Sequence, residues 1–84
     1  MSERGIRTGL ILREARLHMG YSQQQIATLL GIHIKQYQRF EYGERDISHA
    51  SMQLGLAICA VLGIDPFLLI FGQDFSLVGI FRER

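Results

Sequence analysis

Five glycines, Gly20, Gly31, Gly43, Gly63 and Gly72, each follow a segment whose apolar residues recur at helical spacing. A glycine just past such a segment is a common helix stop, so these positions cut the chain into five helices. No alternating strand pattern of useful length precedes the last stretch, 73–84, and no internal repeat or low-complexity segment occurs. The expected fold class is therefore all-α. The most informative part is Ser22 to Gly43, SQQQIATLLGIHIKQYQRFEYG. Ser22 can cap a helix, with Gln25 as the return half of a capping box. Ile26, Ala27 and Leu30 share one face of that helix, and Ala27 is small enough for another helix to approach closely. Gly31 ends it, and a second short helix is expected from about His33 to Tyr42.

On that second helix Tyr37 and Phe40 point one way. Lys35, Gln38, Arg39 and Tyr42 point the other, at the i, i+3, i+4, i+7 spacing of one stripe. An outward stripe made mostly of hydrogen-bond donors, behind a helix–glycine–helix unit, suits the major groove of DNA. Gln23, Ala27, Gly31, Ile32, Arg39, Glu41 and Gly43 fit the pattern Q-x-x-x-A-x-x-x-G-[VI]-x-x-x-x-x-x-R-x-E-x-G. In this the chain resembles the Cro/repressor-type, or XRE-like, helix-turn-helix family. The likeness extends upstream through Leu12-Arg13 and Arg16, and downstream through Arg45 and Leu62-Gly63-Ile64-Asp65 to Leu69.

The resemblance implies a five-helix lambda-repressor-like DNA-binding domain over 1–72, with a short apolar tail at 73–84. It implies binding to double-stranded operator DNA as a symmetric dimer on an inverted repeat. Lys35 and Arg39 are then placed to donate to guanine, and Gln38 to read adenine. Ile34, where polar residues are common in the family, is suited to a thymine methyl. Tyr42 closes the stripe. Gln23 and Arg45 are placed to hold phosphates. His33 stands where the family usually has Ser or Thr as a cap; it is a poorer cap, and its imidazole is placed to reach a phosphate instead. The resemblance also implies that Arg16 pairs with Glu41 beneath the motif.

Outside the motif, the first helix is expected from about Thr8 to Met19. Leu12, Ala15 and Met19 form its core face, while Ile6, Leu10 and Leu17 lie nearly opposite. The connection ERDISHAS places His49 in a solvated loop. Ser48 or Ser51 caps the fourth helix, which runs to Leu62. Met52, Leu56, Cys59 and Leu62 line one side of it and Leu54, Ile58 and Val61 another, so a central helix is expected. Gly55 within it implies a closely packed neighbour. Asp65-Pro66 opens the fifth helix as cap and first residue. The run Phe67 to Phe71, then Phe75, Leu77, Val78, Ile80 and Phe81, offers more apolar surface than a core of this size uses. A homodimer contact through the tail, or a cover over the first helix, is expected.

Composition sets the remaining bounds. Eighty-four residues make one domain with a modest core. Net charge is only +1, but residues 1–45 hold seven Lys/Arg against four Asp/Glu, and residues 46–84 two against four. The basic half contains the outward stripe, which suits a DNA-facing side. One cysteine, Cys59, leaves no internal disulfide or multi-cysteine zinc site. With charges through the first twenty residues and no apolar run long enough to span a bilayer, a cytoplasmic protein is expected, without membrane contact. His18, His33 and His49 lie on separate segments with no nucleophile spaced to them, and no phosphate-cradling loop or metal signature occurs, so neither an enzyme nor a bound cofactor is expected. Two readings follow: an operator-binding transcriptional regulator, most simply a repressor, or an antitoxin-type protein-contact module whose apolar tail engages a protein partner.

Overall fold

A computed structural model describes residues 2–72. The expectations for the tail, 73–84, fall outside the described residues. The described chain is all-helical: α1 Glu3–Met19, α2 Gln23–Leu30, α3 Ile34–Glu41, a 3₁₀ turn Ile47–His49, α4 Met52–Leu62 and α5 Pro66–Phe71. α1 packs on α3, α4 and α5, and α2 packs on α3 and α4. Between them lie Leu12, Ile26, Ala27, Tyr37, Phe40, Ile58, Leu62 and Leu69, all buried. Burying a large apolar side chain stabilises by roughly 1.5–3 kcal/mol. That explains how α2 and α3, eight residues each, persist, since helices this short are marginal alone.

α1 begins five residues before the expected Thr8. Ser2 caps it, its hydroxyl accepting from Gly5 N–H at 2.9 Å. Gly5 and Gly9, poor helix formers by themselves, sit where α1 crosses the end of α3. A Cβ on Gly9 would lie 2.4 Å from the Glu41 carbonyl oxygen and 2.8 Å from that of Phe40. The buried stripe of α1 is thus Gly5, Thr8, Gly9, Leu12 and Arg16, small or polar everywhere but at Leu12. Met19, expected in the core, lies one turn past the last buried residue and is 46% exposed. Arg7 ties the same helix to the end of α5, donating from Nη2 to the Leu69 and Ile70 carbonyls at 3.0 Å each. A cation at that end also complements the helix dipole.

Asp46 organises the connection after α3. Its carboxylate accepts from the Ser48 N–H and hydroxyl and from Arg4 Nε at 2.9 Å. Burial pushes its pKa up, but the Ser48 and Arg4 donors outweigh burial and hold it down to about 2. Ser51 caps α4, accepting from Leu54 N–H, and Ser48 belongs to the 3₁₀ turn. His49 is exposed there.

Among the described residues α4 is not covered all round. Ile58, Cys59 and Leu62 are buried, whereas Met52 is 80% and Leu56 50% exposed. The six residues of α5 are too few to cover eleven of α4. They leave a groove of about 430 Å³ lined by Met52, Leu56, Cys59, Leu69 and Ile70 among others. Gly55 lines it too, with nothing within 4 Å of a Cβ placed there, so the close neighbour expected at Gly55 is not found among the described residues. Cys59 is a free, buried thiol whose pKa burial, then Asp65, pushes up.

Candidate nucleic-acid interface

Ser22 and Gln25 form the full capping box that starts α2, and Gly31 ends the helix in the left-handed region at φ 71°. Only one residue, Ile32, then separates Gly31 from His33, the cap of α3. His33 is indeed the cap: its Nδ1 accepts from Lys35 N–H at 3.1 Å. The nitrogen that accepts carries no proton, so the ring proton sits on Nε2 and is free to donate. Capping through Nδ1 thus leaves the Nε2 side of the ring unused among the described residues.

Lys35, Gln36 and Arg39 are exposed on α3 and make no side-chain hydrogen bond or ion pair among the described residues. Gln36 is not in the stripe that the sequence outlines, although the helical angle places it about 60° from Arg39. Ile34 is half-buried and packs against the core, so only its outer part faces away from the protein. Arg45 is exposed beyond the turn. Its guanidinium lies 5.6 Å from the centre of the Phe40 ring, within cation–π range, and Nη2 reaches the His49 carbonyl at 3.4 Å.

Beneath this face Arg16 and Glu41 make a two-pronged ion pair. Nε donates to Oε2 at 2.9 Å and Nη2 to Oε1 at 2.8 Å, while Nη1 donates to the Tyr21 carbonyl at 2.8 Å. Burial pushes the Glu41 carboxyl pKa up, but the Arg16 and Gln23 donors more than reverse it, and the net shift is downward. The carboxylate in turn raises the Arg16 pKa. The Tyr37 hydroxyl is buried beside them with no hydrogen-bond partner among the described residues. Burial, then Glu41, raises its pKa.

Gln23, the first residue of α2, turns inward to this pair. Its Nε2 is 3.1 Å from Glu41 Oε1 and 3.2 Å from Tyr42 Oη, and its Oε1 accepts from Gln38 Nε2 at 2.9 Å. Gln38 is half-buried and Tyr42 half-exposed as a result.

Compared with known families, the chain matches the helix-turn-helix model over residues 12–69, more than half of its length. It belongs to the XRE-type helix-turn-helix family. Comparison with curated proteins and with solved structures gave no match. Family membership makes this helix-turn-helix protein a DNA-binding regulator. The match holds Arg16, Gln23, Glu41 and the whole of α3. It leaves outside the crossing glycines Gly5 and Gly9 and the tethers Arg4 and Arg7. No helix among the described residues is long and apolar enough to cross a membrane, and no cluster of three metal-ligating side chains occurs among them.

Proposed function

We propose that this protein is a cytoplasmic transcriptional repressor that places α3 in the DNA major groove and binds an inverted-repeat operator as a homodimer. One observation carries the reading: the outward face of α3 presents Lys35, Gln36 and Arg39 with no partner among the described residues. Solvated cations with free donors are what guanine O6 and N7 take. Lys35 and Arg39, four residues apart, enter one groove together, and Ile34 offers its outer part to a thymine methyl. Arg45 and the Nε2–H of His33 flank the helix and take phosphates, which fix register without reading sequence. Two copies of α3 then read half-sites about one turn apart, roughly 34 Å.

Selecting bound sites from randomised DNA and titrating variants against the selected and a scrambled duplex tests this. Arg39→Ala should cost ~1–3 kcal/mol on the selected site and relax preference at one or two base pairs per half-site. Arg45→Ala should weaken both duplexes alike and flatten the salt dependence. Equal loss on both duplexes for Arg39→Ala makes Arg39 a backbone contact and sinks the assignment.

A second reading, an antitoxin-type module that engages a protein partner, is favoured by the apolar surface around α4 and α5, where Met52, Leu56, Phe67, Leu68 and Phe71 are exposed. The same surface supports a dimer contact that includes 73–84. Deleting 73–84 is expected to give a monomer or an aggregating chain in sedimentation. A well-behaved dimer after truncation removes the tail from the interface, and a stoichiometric foreign partner on purification favours the second reading.

A further inference from the structure

We propose that Gln23 is a positioning residue for base choice, holding the Gln38 amide in register from the buried ion pair, and that it is not a phosphate contact. This rests on the reading that α3 enters the major groove. Arg16 keeps Glu41 ionised. A carboxylate only accepts, so the atom of the Gln23 amide that faces it is the nitrogen. With Nε2 toward Glu41 and Tyr42 Oη, both N–H groups of Gln23 are engaged within the protein. None is left for a phosphate.

The oxygen of the same amide then faces Gln38 and accepts one of its N–H groups at 2.9 Å. Gln38 keeps its oxygen and its second N–H. That donor–acceptor pair matches N7 and N6–H of adenine, and its plane is now fixed before DNA arrives. A loose glutamine has to lose its rotamer freedom on binding, worth a factor of roughly two to ten in affinity. The chain of bonds Arg16–Glu41–Gln23–Gln38 removes that loss in the free protein. It also joins the scaffold to the reading face across a separation of fifteen residues that no local signal bridges.

The test compares Gln23→Ala and Gln23→Met, the second keeping the stem that fills the site, with Gln38→Ala and the Gln23→Ala/Gln38→Ala double variant. Each is titrated over a range of salt against the selected site, against that site changed at one base pair, and against a scrambled duplex. Both Gln23 variants should lose two- to tenfold on the selected site, keep the scrambled affinity, and keep the slope of log K against log salt. They should show no further loss in the Gln38→Ala background. In the free protein, the Gln38 side-chain amide signals in Gln23→Met should move toward those of a solvated glutamine. A reduced salt slope with equal loss on both duplexes, full additivity with Gln38→Ala, unmoved Gln38 signals, or no loss at all overturns the proposal. Failure of the underlying reading looks different. In that case the wild-type protein does not prefer the selected duplex and Arg39→Ala changes no preference, and the role of Gln23 falls with it. Should Arg39→Ala relax selectivity while Gln23→Met does not, the reading stands and the proposal alone is lost.

Discussion

Gly9→Ala should lower the melting temperature by more than about 10 °C, while Gly55→Ala raises it by a few degrees. Both glycines lie inside helices, where alanine is favoured by roughly 1 kcal/mol. Surroundings decide the sign. At Gly55 nothing among the described residues lies within 4 Å of an added Cβ, so the intrinsic gain is kept. At Gly9 the Cβ would stand 2.4 Å and 2.8 Å from the carbonyl oxygens of Glu41 and Phe40. Those are backbone atoms at the end of α3, and no rotamer change moves them aside. Relief requires α1 and α3 to separate, which also opens the contact at Gly5, where a Cβ would lie 3.1 Å from the Gly43 carbonyl oxygen. Overpacking of a side-chain site costs ~1–3 kcal/mol, and a backbone site that cannot relax should lie at or above the top of that range. For a domain this size, 1 kcal/mol moves the midpoint by roughly 4–8 °C. Thermal melts of the two variants side by side decide the matter. An equal rise in both would mean that α1 does not cross α3 at Gly9.

That pair of glycines also marks where sequence reading stops. Features made by neighbours a few residues apart were legible: the Ser22–Gln25 box, the Asp65-Pro66 start of α5, the inward Tyr37 and Phe40. Each depends on a helical angle or a local hydrogen bond. Gly5 and Gly9 depend on α3, more than thirty residues on, so locally they read only as weak helix formers, and helical spacing alone puts the start of α1 near Thr8 rather than at Glu3. At Gly55 no close neighbour stands among the described residues, and a glycine in an apolar helix is compatible with either close packing or an open groove. Met19, Met52 and Leu56 have the right periodicity for burial, but periodicity does not say whether a partner covers the face. At the candidate site, the outward face of α3 followed from helical angles. The inward turn of Gln23 did not, because its partners Glu41 and Tyr42 lie eighteen and nineteen residues away.

Glu41→Ala is the other large effect expected, and its acid dependence separates it from a simple packing defect. The Glu41 side chain is 1% and that of Arg16 10% exposed. Arg16 joins α1, the turn at Tyr21 and α3 through three nitrogens. Removing the carboxylate leaves a guanidinium buried without its counter-charge and takes an acceptor from Gln23. Breaking a buried pair from one side costs ~3–5 kcal/mol, a fall of more than 10 °C at the slope above. Replacing both partners, as in Arg16→Met/Glu41→Leu, should recover much of this, because neither charge is then left buried. The pH dependence follows from the lowered carboxyl. Glu41 titrates below its ordinary 4.5 when folded, so the unfolded chain binds more protons below that pH. Its contribution is fully present above about 4.5 and is lost as pH falls through the folded value. Asp46, held at about 2 against an ordinary 3.8, adds a loss of the same sign between those values. Wild-type protein should therefore lose melting temperature steeply below pH 4.5, and Glu41→Ala should show a shallower acid limb that keeps the Asp46 part. A Glu41→Ala protein that melts like wild type at pH 7 and keeps the full acid limb would mean that the pair is solvated in solution and does not fix the angle of α3.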